Sequence, residues 1–128
     1  VKPLDVYMFK WGSSITGNLL TDEQGGSTRH IKVRFNLECS SKVLVEYLKK
    51  EEIRGKAAGF ITNMLNNTHL SEVSRKDGDL ELAKKIAARF NSMLADELKV
   101  KVLEDPDDRK IDKDPHIKKL NWEDFLVQ

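Results

Sequence analysis

Arg29-His30-Ile31-Lys32-Val33-Arg34-Phe35-Asn36-Leu37-Glu38-Cys39 decides the reading of this chain. Ile31, Val33, Phe35, Leu37 and Cys39 share one parity, and Lys32, Arg34, Asn36 and Glu38 share the other. Period two is the mark of a strand with one buried face and one wet face. A slip of one residue would drive the polar set into the core, so the register is tightly specified. The segments that follow are expected to cover the apolar face of this strand. Cys39 continues that face, which makes it a small buried hydrophobe and not a reactive thiol.

Upstream, residues 13–20 read as a first strand with Ile15, Leu19 and Leu20 as its apolar positions. Residues 21–28, with Gly25-Gly26 among polar side chains, read as a hairpin-type loop. The two strands are therefore expected to be antiparallel neighbours. Residues 1–12 hold Val6, Tyr7, Met8, Phe9 and Trp11 between Pro3 and Gly12. Two readings are open here: an edge strand packed on the domain, or a contact segment. Exposed aromatics and Met are enriched where partners bind, so Tyr7, Phe9 and Trp11 are the candidate partner-binding residues. On that reading residues 1–12 form an arm or linker and residues 13–128 the domain proper.

Downstream, Ser40 and Ser41 are candidate helix N-caps. Leu44, Tyr47 and Leu48 form one apolar stripe; Ile53, Ala57, Phe60, Ile61, Met64 and Leu65 form another. Nine residues separate Leu44 from Ile53, roughly 900° at ~100° per residue, so the stripes oppose each other on one straight helix. The spacing predicts a short helix, a bend near residues 50–52 and a main helix to about Asn66. Leu70 and Val73 anchor one helical turn over residues 69–76. Asp77-Gly78-Asp79 breaks the chain and puts acids where a helix dipole favours them. Leu82, Ile86, Phe90, Met93 and Leu94 define the clearest helix, residues 80–98, in which Ala83, Ala87 and Ala88 would allow close packing. Residues 99–103 alternate as a short strand, and residues 104–116 form a charged loop with Pro106 and Pro115. Residues 117–128 form the last strand. There Leu120 and Trp122 share one parity while Phe125 and Val127 share the other, which indicates a bulge or burial on both faces. The elements add up to an α+β fold of two layers: a small sheet of three to four strands covered on one face by two main helices.

A length of 128 residues is one domain, large enough to bury about two-thirds of its unfolded surface without a metal or disulfide staple. A single cysteine excludes an intramolecular disulfide. Net charge is +1 with the signs interspersed, which gives no field for nucleic acid or an anionic membrane. No apolar run approaches the ~18 residues of a membrane span, and no stretch reads as a signal peptide.

Candidate chemistry is sparse. His30, His69 and His116 are scattered, with no partners at ligand spacing. No nucleophile elbow, phosphate loop or zinc-type pair is present, so no catalytic, cofactor-binding or metal-binding residue is assigned. Asp105, Asp107, Asp112 and Asp114 resemble a calcium loop, but its sixth and twelfth positions are Lys110 and His116 instead of Gly and Glu. Asn66-Asn67-Thr68 fits a glycosylation acceptor, a match short enough to arise by chance. Gly55-Lys56-Ala57-Ala58-Gly59 resembles the GXXG loop of KH domains, one residue too long and inside an amphipathic helix.

Six segments in order resemble the extracytoplasmic domain of the flagellar basal-body-associated FliL family. Gly17-Asn18-Leu19 resembles its first strand, and residues 29–38 its second. Glu52-Ile53-Arg54 matches its Glu-Ile-Arg at the bend before the main helix. Thr68-His69-Leu70-Ser71-Glu72-Val73 resembles its Lys-Thr-Leu-Glu-Glu-Leu turn. Arg89-Phe90-Asn91-Ser92-Met93-Leu94 resembles its Arg-Ile-Asn-x-Ile-Leu. Asp124-Phe125-Leu126-Val127-Gln128 resembles its terminal Glu-Phe-Val-Val-Gln. Gly55 and Gly59 depart from the helix formers expected there, at a cost of about 1 kcal/mol each relative to Ala, and residues 104–116 resemble an insertion. The resemblance implies a stomatin/SPFH-like periplasmic domain of a single-pass inner-membrane protein whose membrane helix precedes Val1. It implies a non-enzymatic homo-oligomeric ring around flagellar stator proteins of the MotA/MotB type, supporting torque and motility, with no cofactor and no nucleic acid. The alternatives are a stomatin-like membrane scaffold unrelated to flagella and a KH-like RNA-binding module.

Overall fold

A computed structural model describes residues 7–21, 29–98, 103–104, 111–112 and 115–128. Strand β3 (Arg29–Cys39) lies at its centre, as the alternation predicts: Ile31, Val33, Phe35, Leu37 and Cys39 are all buried. Both of its edges are paired. On one side run β1 (Tyr7–Lys10) and β2 (Ile15–Leu19), and on the other β6 (Ile117–Val127), all antiparallel to β3. The four strands form one sheet, and four helices complete an α+β domain of two layers.

β1 and β2 are one edge strand interrupted by a bulge. Lys10 pairs with Asn36 and Ile15 with Val33, so residues 11–14 face only Arg34 and Phe35. Gly12, at φ +86°, takes the left-handed turn that absorbs the extra length. The backbone N–H of Trp11 still donates to Phe35 O, at 3.2 Å, which keeps the strand in line.

Gly17 marks the closest approach between the layers. A Cβ built there would lie 2.7 Å from Leu65 Cβ on the main helix, nearer than real Cβ atoms come. The contact is backed by Asn66, whose Oδ1 accepts from the backbone N–H of Asn18 at 2.8 Å. Gly17→Ala is therefore expected to push helix and strand apart and destabilise the domain by about 1–3 kcal/mol, the range for overpacking. A urea midpoint equal to that of the unaltered protein would show that the layers separate without strain.

The helices follow the predicted phase break. α1 (Lys42–Leu48) is capped by Ser41, whose Oγ accepts from the Leu44 N–H at 3.2 Å. The chain is extended at Lys50 and restarts as α2 (Glu51–Asn66). The break lets Leu44 and Ile53, opposed on a straight helix, both enter the core; Ala57, Ile61 and Leu65 follow at helical spacing. α3 (Leu70–Ser74) is the single turn expected, with Leu70 and Val73 resting on the core. α4 (Gly78–Leu98) starts two residues before the predicted point, directly after Asp77 in the left-handed region at φ 61°. Its Leu82, Ala83, Ile86, Phe90 and Leu94 are buried, while Met93 is half-buried against the core.

The expectations for residues 99–116 are partly corrected. Leu103–Glu104 (β4) pairs antiparallel with Ile111–Asp112 (β5) in a separate two-stranded sheet, so the segment read as a plain charged loop contains strand pairing of its own. Residues 99–102, 105–110 and 113–114 lie outside the described residues. In β6 the parity change is a bulge, as the sequence indicates. Arg34 pairs with Asp124 but Phe35 with Trp122, which leaves Glu123 as the extra residue; a second shift falls at Lys118.

Cys39 is 2% exposed, and burial pushes its thiol up to about 12. At pH 8 it then holds on the order of a thousand times less reactive thiolate than a free cysteine. Labelling of the folded domain by a thiol reagent is expected to be roughly 100-fold or more slower than in urea. Rapid labelling without denaturant would mean that the β1 edge opens readily.

Candidate functional site

Residues 7–11 are where sequence reasoning placed a partner contact, and the structure corrects that placement. Phe9 is 5% exposed and Trp11 3%; both belong to the core, and Tyr7 is half-buried against it. Trp11 stacks on Phe35 at 5.2 Å between ring centroids and meets Phe9 and Phe90 edge-on at 6.1 and 6.3 Å. Arg54 seals the outside: its guanidinium sits 5.1 Å above the indole, and Nη2 donates to the Trp11 carbonyl at 2.6 Å. The physical reason is pairing. Once Tyr7 faces Cys39 and Phe9 faces Leu37, odd residues of β1 share the apolar face of β3. The boundary drawn at residue 12 cuts through this edge: residues 7–10 belong to the sheet and Trp11 to the core, and residues 1–6 lie outside the described residues.

Two surfaces remain. One is the sheet face that bears no helices. Arg34 pairs with Asp124 at 3.0 Å and with Glu123 at 3.5 Å. Asn36 donates to Glu123, and Asn121 donates to Asn36 and, at 2.8 Å, to Glu38. His30 Nδ1 lies 2.7 Å from Asn18 Oδ1 at one end. Arg34 is neutralised across the strands by Glu123 and Asp124 and amides link its neighbours, so among the described residues the middle of this face is a knitted polar surface.

The other is a groove of about 760 Å³ between α4 and the first half of β6. Asn91 closes one end: its Oδ1 accepts from the Ile117 N–H at 2.6 Å and its Nδ2 donates to the Ile117 carbonyl at 3.1 Å. Trp122 is fixed toward the other end, its indole N–H donating to the Asp79 carbonyl at 2.8 Å. Leu80, 50% exposed, lies on the rim. The sequence assigned Ala83, Ala87 and Ala88 to close packing; Ala83 is buried, but all three line this open groove.

The histidines are not brought together. His116 donates its backbone N–H to Ser40 Oγ, and His69 caps α3, donating its backbone N–H to Glu72 Oε2 at 2.8 Å. That backbone bond holds the Glu72 carboxyl below its ordinary range, with Lys85 adding to it. Among the described residues no group of three metal-ligating side chains forms, and no helix is long and apolar enough to cross a membrane. Residues 55–59 are continuous helix within α2, with open space around both glycines, so they present no loop of the KH kind. Arg54 and Asn91 shape these sites; the sequence named them only within segments that resemble the family and gave neither a role.

What these features define is a two-layer α+β domain with a knitted polar sheet face and a groove beside an edge strand. The chain matches no model of a known protein family and no curated protein.

Proposed function

We propose that this is the periplasmic domain of a non-enzymatic flagellar motor component of FliL type, tethered to the inner membrane by a helix preceding Val1. It assembles as a homo-oligomeric ring around the stator units and supports their torque. One observation carries the reading: segments that resemble the family in sequence sit at joints of this fold. Arg54 of Glu52-Ile53-Arg54 seals Trp11. The 68–73 turn is bonded to the strand edge, Leu20 N–H to the Thr68 carbonyl and Leu70 N–H to the Leu20 carbonyl. Asn91 of the α4 segment holds Ile117. Phe125 of the terminal segment pairs with Val33 in the second-strand segment. Residues that fix joints are the ones a shared fold would retain.

The mechanism is scaffolding. Head-to-tail contacts presented once per subunit close into a ring. A collar that binds the open-channel stator better than the closed one shifts the stator toward the open state. The test uses the full-length protein in its own membrane. Cross-linking followed by purification through a tag is expected to recover the stator proteins, and deletion of the gene is expected to impair swimming. Recovery of self-linked oligomers without stator, from cells that swim normally when the gene is deleted, would replace the flagellar reading with a stomatin-like scaffold. The absence of an apolar run of about 20 residues in the genomic sequence before Val1 would remove the tether.

A further inference from the structure

The sheet ends one strand short of the helix beneath it. β6 pairs with β3 alone among the described strands, and α4 runs under it and past it, leaving Leu80 and Ala88 exposed. The backbone orientation follows from the register. Phe35 turns its carbonyl to Trp11 on the β1 side, whereas His30 exchanges two hydrogen bonds with Gln128 on the β6 side. Antiparallel ladders alternate, so odd residues of β3 address β1 and β2 while even residues address β6. Residues of β6 that stand opposite odd positions therefore turn their N–H and C=O groups outward. In the first half of β6, along the groove, these are Ile117 opposite Cys39, Leu120 opposite Leu37 and Trp122 opposite Phe35; Phe125 and Val127 follow beyond it. Asn91 satisfies Ile117. Among the described residues nothing bonds the outward backbone groups of Leu120, which open on the groove.

We propose that this groove takes one extended peptide strand, of alternating apolar and acidic residues, that pairs with the free edge of β6. Small residues set the apolar half of the specificity: side chains directed inward from an added strand would lie over Ala83 and Ala87 of α4, where there is room for Val or Ile. Charge sets the other half. Lys84, Lys118 and Lys119 line the groove, and none of them forms an ion pair among the described residues. Of the acids at the far end, Glu81 is already held by Arg75 at 2.9 Å, and Asp77 stands at the helix start. A second copy of β6 is the competing occupant, and the sedimentation result below separates it from a peptide. From the Asn91 clamp to Trp122 the edge spans five residue steps, about 17 Å, which suits a peptide of about six residues. The groove belongs to the fold itself, whatever machinery the domain serves.

The probe is acetyl-(Val-Glu)3-amide, with acetyl-(Val-Lys)3-amide as its charge-reversed control, followed by amide NMR on the 128-residue chain. The glutamate peptide is expected to bind in the range of about 10–500 µM, to shift the Leu120 and Ala87 amides, and to slow exchange of the Leu120 amide about tenfold or more at saturation. The lysine peptide is expected to bind at least tenfold more weakly. The surface variant K84E/K118E is expected to reverse that preference while leaving the unbound spectrum folded. No shift at Leu120 with about 1 mM glutamate peptide, or shifts confined to the polar sheet face, would overturn the site. Protection of Leu120 that depends on protein concentration and appears without peptide, together with a dimer in sedimentation, would overturn the choice of occupant in favour of a second copy.

Discussion

Trp11→Ala is expected to lower the stability of the domain by about 3–5 kcal/mol, the range for deleting a large aromatic from a core that cannot collapse around the gap. Three rings and a guanidinium surround this side chain: Phe35 stacks on it, Phe9 and Phe90 meet it edge-on, and Arg54 covers it. These come from β3, β1, α4 and α2, so the indole joins the edge strand to both main helices. The backbone around it is equally committed. Its N–H bonds Phe35, and its carbonyl takes the Arg54 guanidinium. Small domains have about 5–15 kcal/mol in total, so the variant is expected to be marginal at 37 °C. Urea melts read by circular dichroism measure the loss. Deleting residues 1–11, which removes β1 and Trp11, should unfold the domain. A loss under about 1 kcal/mol for Trp11→Ala would return this segment to the role of a contact arm.

The contrast between β3 and β1 shows what the sequence displays and what it hides. β3 could be read because nine residues, Ile31–Cys39, alternate without a fault and their odd positions hold nothing polar. The break between α1 and α2 could be read because two stripes were out of phase by half a turn, which no straight helix can bury. β1 has the same alternation, with Tyr7, Phe9 and Trp11 in and Met8 and Lys10 out, but over five residues it is masked by the apolar Val6 and Met8. Only the pairing with residues 36–39 shows which parity is inside. The groove was not legible for a different reason. Ala83, Ala87 and Ala88 mark a helix flank that something approaches closely, yet nothing local says whether that neighbour is a strand of the same sheet or open space. That depends on β6 pairing with the far edge of β3, a long-range choice with no local signature.

Asn91→Leu is the second large effect, expected at about 2–4 kcal/mol although the change is close to isosteric. Asn91 makes two hydrogen bonds to a single residue, accepting from the N–H of Ile117 and donating to its carbonyl. Ile117 is 3% exposed and both of its bonds to Asn91 are part-buried, so water entering from the groove replaces them only in part when the amide is lost. Leaving a buried donor or acceptor unmade costs about 1–3 kcal/mol for each group, more than the net value of the bond itself. The pair is also local glue at the point where the last strand enters the sheet. His116, one residue before, is bonded through its backbone N–H and carbonyl to Ser40 at the end of β3. Loss of Asn91 should therefore be felt first at residues 116–119 and not across the domain. Hydrogen exchange separates the two possibilities: faster exchange at Ile117 with Val33 and Phe35 still protected marks fraying of the β6 start. Asn91→Asp is the informative companion, because its carboxylate can still accept from the Ile117 N–H but cannot donate to the carbonyl. At neutral pH it is expected to lose about half as much as Asn91→Leu. If Asn91→Asp and Asn91→Leu were equally destabilising, the carbonyl side of the clamp would carry the whole effect. If neither moved the urea midpoint, the start of β6 would be held by its ladder to β3 alone.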